Sequence, residues 1–159
     1  MTYRIAGLSN ETFAPLFALD DAALAARNAR RVIASASRGF PCRISLEDAR
    51  EGEELILLHH TSHDVETPYR SAYAIYVRAG AKPAEYIDAT PPVFEGRPLG
   101  LRGFDGEGNL RDARLALPGE ADAQIRDLLA NPAIAYIDAH NAAHGCFAAR
   151  IERHGDASC

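Results

Sequence analysis

The segment around Tyr136 to Ile151 constrains the fold most. Two runs of alternating apolar and polar side chains, Ile134 to Ala139 and Cys146 to Glu152, flank one short turn. Period-two alternation marks a strand with one face in a core, and two such runs closely joined make an antiparallel hairpin. The turn region carries His140, Asn141, His144 and Cys146, so a rigid sheet would present several reactive groups along its rim. In the second run Phe147, Ala149 and Ile151 oppose Cys146, Ala148, Arg150 and Glu152, which places Cys146 on the more polar face.

The remaining chain reads in the same terms. Tyr3 to Leu8 is a short strand, and Ser9 is the N-cap candidate of a short helix that Pro15 limits. Asp20 or Asp21 caps a second short helix through Ala22, Leu24 and Ala25. Val32-Ile33 marks a strand from Ala29 to Ala36, ended by Gly39-Phe40-Pro41, and Cys42 to Leu46 resumes as extended chain. Glu54 to His60 contains Leu55-Ile56-Leu57-Leu58, apolar on both faces, as in a central strand; a polar loop from Thr61 to Pro68 follows. Ser71 to Arg78 alternates cleanly. Lys82 to Pro98 is crowded with proline and glycine and reads as irregular. Leu99 to Phe104 and Leu110 to Leu117 form a hairpin across Asp105-Gly106. Ala121, Ile125, Leu128 and Leu129 recur at helical spacing between Pro118 and Asn131-Pro132. The expected fold is α+β: one domain over residues 1–159, mainly antiparallel sheet with a few short helices, and a frayed tail at 154–159.

Composition narrows function by exclusion. The net charge is −5, and Lys82 is the only lysine among 17 basic residues, so no basic surface for nucleic acid is expected. No apolar run approaches the roughly 20 residues of a membrane span, and no export signal opens the chain. A soluble cytoplasmic protein with no membrane partner follows. Three cysteines, Cys42, Cys146 and Cys159, are an odd set for a disulfide framework, and Cys159 at the C-terminus is incidental. The sequence specifies neither a cofactor nor an oligomeric state.

Three segments concentrate chemistry: Gly39-Phe40-Pro41-Cys42-Arg43, Thr67-Pro68-Tyr69-Arg70, and His140-Asn141-Ala142 through Gly145-Cys146-Phe147-Ala148. With Ala72 to Arg78 and Tyr136-Ile137, they resemble a small bacterial family of uncharacterised proteins, the domain of unknown function numbered twelve hundred and three. The resemblance covers nearly the whole chain and implies no established reaction. Asp138 departs from the histidine or glutamine that it leads one to expect there.

Several chemistries fit these residues. A small anion can be held by Arg43 and Arg70, each after a proline-containing turn, with Tyr69, His140 and Asn141 adding hydrogen bonds. The plainer account pairs the two arginines with Glu47, Asp48 or Glu66. Alternatively Cys146 is a nucleophile with His140 as base, and Asn141 orients the imidazole or donates to an oxyanion; the plainer account is a packed strand cysteine. His140, His144 and Cys146, completed by Cys42 or His59, offer donors to zinc, but no Cys-x2-Cys pair accompanies them, and no metal is assigned. A fourth reading has Cys42 and Cys146 facing each other across strands, in a structural core or oligomer interface. The favoured expectation is a pocket of Cys42, Arg43, Tyr69 and Arg70 binding a small anionic molecule, with Cys146, His140 and Asn141 as the catalytic set of the alternative.

Overall fold

The computed structural model describes residues 1–155. Nine strands and two short α-helices run in the order β1 (Thr2–Ala6), α1 (Asp21–Ala25), β2 (Ala29–Ile33), β3 (Glu54–His63), β4 (Ser71–Arg78), β5 (Glu85–Ile87), β6 (Leu99–Phe104), β7 (Leu110–Ala116), α2 (Ala121–Leu129), β8 (Tyr136–Asn141) and β9 (Phe147–His154). Single 3₁₀ turns occupy Ala14–Ala18 and Pro92–Phe94. Six strands form one sheet, in the order β5-β1-β9-β8-β6-β7, and β2-β3-β4 form a second. Every pairing between these strands is antiparallel. The mainly antiparallel α+β architecture is therefore present, divided between two sheets. Of the expected C-terminal tail, His154 ends β9; Cys159 lies outside the described residues.

Each sheet has its own core. Tyr3, Ile5, Leu101, Ile137, Ala149 and Ile151 line one face of the larger sheet, where α2 contributes Ile125, Leu128 and Leu129. Ile56, Ile75 and Val77 of the smaller sheet pack with Phe13 and Leu24 from the N-terminal helical segment, and with Cys42, Ile44 and Phe147. Phe147 at the start of β9 and the loop at Cys42 thus tie the two sheets together, and the candidate residues sit at that junction.

Several boundaries differ from the sequence expectation for identifiable reasons. Ser9 caps no helix; its Oγ accepts from Glu11 N, and Pro15 instead opens the 3₁₀ turn, where its missing N–H costs nothing. Asp20 is the cap of α1 and accepts from Ala23 N at 2.8 Å. Strand β2 stops at Ile33 because Ala34 turns to pair with Gly52 and Glu53. Strand β3 does not end at His60 but continues to His63, through the polar stretch read as loop. The segment Cys42–Leu46 is not extended. The Cys42 sulfur accepts from the N–H groups of Ile44, Ser45 and Arg78, curling the chain into a turn that leaves Leu46 at a positive φ of 55°. This turn lies against Gly7, where a Cβ would collide with the Ile44 carbonyl.

The hairpin of β8 and β9 contains one more irregularity. Ala139 pairs with Ala149 but His140 pairs with Phe147, so Ala148 is the extra residue of a β-bulge. The bulge reverses the side-chain alternation. Phe147 therefore joins the smaller sheet's core rather than the face of Ala149 and Ile151, contrary to simple alternation.

Candidate functional site

Arg43 is the centre of the arrangement. The Cys42 turn carries it inward until the residue is 2% exposed. Its Nε donates to the Phe147 carbonyl at 2.8 Å, one terminal nitrogen to the Pro41 carbonyl at 2.6 Å, and the other to the Cys146 sulfur at 3.1 Å. No carboxylate of the described residues pairs with it. Burial pushes the Arg43 guanidinium below its ordinary pKa, and the Cys146 sulfur is the largest influence in the opposite direction. A buried cation surrounded by neutral carbonyls is costly unless a negative charge balances it. Sulfur is the one contact able to carry that charge.

The turn after β8 positions Cys146. Gly145 has φ of 79°, a left-handed conformation that costs glycine little. Asn141 N donates to the Cys146 carbonyl and Gly145 N to the Asn141 carbonyl, which closes the turn. The Asn141 side chain donates from Nδ2 to the Cys146 sulfur at 3.4 Å, while its Oδ1 is buried without a partner among the described residues. Cys146, Asn141 and Arg43 line a cavity of about 480 Å³ whose other walls include Leu57, Tyr73 and Tyr76. Such a volume lies in the range of small-molecule sites.

His140 lies on the opposite side of β8 from Asn141, as successive strand residues must. It is 4% exposed, and its Nδ1–H donates to the Gly145 carbonyl at 2.9 Å. Burial lowers its pKa, partly opposed by that carbonyl. The ring lines a second cavity, of about 390 Å³, with Arg70, Arg102 and His144. His140 is therefore close to Cys146 in sequence but lines the other cavity.

The expected residues thus divide into groups. Arg43, Asn141 and Cys146 converge, with Cys42 behind them as the buried cap of the turn. Arg70 belongs to the second cavity and pairs with Asp64 at 2.9 Å, both side chains being largely exposed. Tyr69 lines neither cavity; its ring meets Phe104 edge-on and its carbonyl accepts from His63. Arg43 and Arg70 consequently line different cavities. Of the acids considered as their partners, Asp48 pairs with Arg97 and Glu47 with Arg78, and Glu66 pairs with neither Arg43 nor Arg70. Cys42 and Cys146 form no disulfide with each other, and the Arg43 guanidinium is what meets Cys146. Among the described residues no group of three or more histidine, cysteine or acidic side chains is arranged for a metal. No described helix is long and apolar enough to cross a membrane.

A network missed from the sequence lies beyond His140. Asp138 is fully buried and receives two hydrogen bonds from Arg150, at 2.7 and 3.1 Å. Arg150 also stacks over Tyr136, 4.4 Å from the ring centre, and Tyr136 Oη donates to His63 Nε2 at 2.6 Å. His63 Nδ1 must carry the proton in this arrangement, because its partner, the Tyr69 carbonyl, only accepts. Burial works to lower the Arg150 pKa, yet the bonds to Asp138 prevail and raise it. The departure at Asp138 is thus a cross-strand ion pair, and the opposed Asp and Arg at matching distances from the turn were its sequence signal. Arg102 was missed too. An arginine in the middle of the alternating Leu99–Phe104 strand, beside Leu101, was the available sign.

No curated protein and no solved structure matches this chain. A family model described as a protein of unknown function matches residues 39–153, an interval that holds Arg43, Arg70, His140, Asn141 and Cys146. It is the family that the motifs around Cys42, Arg70 and Cys146 resemble, and the chain belongs to it: DUF1203.

Proposed function

We propose that this protein performs thiol-dependent chemistry, with Cys146 acting as an anionic nucleophile on a small electrophile held in the 480 Å³ cavity. The observation that carries this reading is the fully buried Arg43, whose contacts are two carbonyls and the Cys146 sulfur. A nearby guanidinium favours the thiolate, and the thiolate is the reactive form of cysteine. The expectation that His140 serves as base gives way to activation by Arg43, since the His140 Nδ1–H is held by Gly145 and its ring faces the other cavity.

The division of labour follows from the contacts. Arg43 balances the charge on sulfur, and Asn141 Nδ2 fixes its direction. The sulfur lone pair forms the new bond to an electron-poor carbon of the ligand, so no base has to remove a proton first. The displaced electron pair leaves with the departing group or takes a proton from water. Leu57, Ala74, Tyr76 and Pro98 suit a mainly apolar ligand.

Alkylation of the native protein with iodoacetamide at about pH 6, mapped by peptide mass, tests this reading. Cys146 is expected to label at least about tenfold faster than the same cysteine in the unfolded chain, and Arg43→Met to remove the difference. Equal or slower labelling of native Cys146 would overturn it.

A further inference from the structure

The second cavity has a different character from the first. Arg70, Arg102, His140 and His144 contribute to its walls, and no aspartate or glutamate does. This concentration of basic side chains stands in a chain whose net charge is −5. Arg102 has no hydrogen-bond or ion-pair partner among the described residues. Its cross-strand neighbour is Asp138, but both Asp138 oxygens are taken by Arg150. Arg70 has only the exposed Asp64 as partner, a kind of pair that contributes little. Gly145 holds Nδ1 of His140, and Nε2 has no hydrogen-bond partner among the described residues.

A concave surface with two guanidinium groups and no acid focuses positive potential on its interior. We infer that this cavity binds the oxyanion group, phosphate or carboxylate, of a small molecule, with Arg102 as its principal contact and Arg70 as its second. The planar fork of arginine matches either group by paired hydrogen bonds. At about 390 Å³ the cavity exceeds the needs of a bare oxyanion and leaves room for a small organic remainder. The site differs from the Arg43 and Arg70 pocket expected from sequence, since Arg102 takes the place of Arg43. It stands independently of the thiol reading, although Tyr73 and His144 line both cavities.

Titration calorimetry and thermal unfolding of the full chain with inorganic phosphate, and separately with citrate, test the inference at matched ionic strength. Binding of at least one of the two, with a rise in Tm that sodium chloride does not reproduce, is the expected result; which one binds identifies the group preferred. Arg102→Gln should weaken that binding by about tenfold or more, as expected for loss of a charge-assisted paired contact. Arg102→Lys, which keeps the charge, should weaken it less. Cys146→Ala should bind as the parent does, so failure of the thiol reading leaves this result untouched. No binding of either anion, an equal effect from chloride, or unchanged affinity in Arg102→Gln would overturn the inference.

Discussion

Two arginines beside the same hairpin, one buried and one half-exposed, are balanced in different ways. Arg150 projects from β9 onto Asp138 directly across on β8, and a carboxylate takes two of its hydrogen bonds while its side chain keeps 36% exposure. Arg43 is more deeply buried, at 2% exposure, and has no carboxylate. If burial alone governed pairing, the deeper arginine would hold the acid. The difference leaves the Cys146 sulfur as the one contact of Arg43 able to carry a balancing charge, which is the premise of the proposed chemistry. Arg97, which pairs with Asp48 at 2.8 Å, follows the Arg150 pattern.

The largest expected effect comes from Asp138→Ala, which strands Arg150. Removing one partner of a buried pair costs about 3–5 kcal/mol, and the partial exposure of Arg150 puts the expectation near 3 kcal/mol by urea denaturation. Cys146→Ala carries the comparison across. With a charged sulfur it should cost about 2 kcal/mol, because Arg43 is left uncompensated, whereas deletion of a neutral thiol should cost about 1 kcal/mol or less. A double-mutant cycle with Arg43→Met should then give a coupling of about 2 kcal/mol between the two positions.

Acid should affect the His140 side of the hairpin. Burial lowers the His140 pKa from its ordinary 6.5, so below pH 6.5 the unfolded chain takes up the proton before the native state does. Stability is therefore expected to fall as pH drops from 6.5 toward the folded value and to be unaffected by this group above that window. His60 is shifted the same way, by burial and by His59, so His140→Asn should reduce the slope of the Tm against pH without abolishing it.

Smaller effects sharpen the comparison further. Asn141→Val removes a donor to sulfur together with a buried acceptor that has no partner, so stability should change by under about 1 kcal/mol while alkylation of Cys146 slows. Arg70→Ala breaks only an exposed pair and should change stability by less than about 0.5 kcal/mol. A large loss there would mean that the second cavity is held together by Arg70.

Much of the fold was legible where one local pattern decides the structure. β4 coincides with the alternating run Ser71–Arg78, and α2 with the helical spacing of Ala121, Ile125, Leu128 and Leu129. Where a side chain competes with the backbone, the pattern fails: the Cys42 sulfur curls a segment that reads as extended. The bulge at Ala148 is equally invisible, since one unpaired residue leaves the alternation in the sequence unchanged. At the site, the motifs around Cys42, Arg43, Asn141 and Cys146 pointed to residues that do converge. Their roles were less legible, because Arg43 meets Cys146 across 103 residues, a relation that no local spacing encodes. The same limit hid Arg102, whose significance depends on Asp138 being occupied by Arg150.

The central claim is that sulfur balances the buried Arg43, and the ultraviolet thiolate absorbance of the native protein measures it most directly. The Cys146→Ser variant is subtracted from the parent across a pH series, so that Cys42 and Cys159 cancel. The account predicts that the difference absorbance persists at pH 7 and below, where an ordinary thiol with a pKa near 8.5 is protonated. Its disappearance as the pH falls through about 8.5 would contradict the account and leave Cys146 a neutral donor beside an uncompensated arginine.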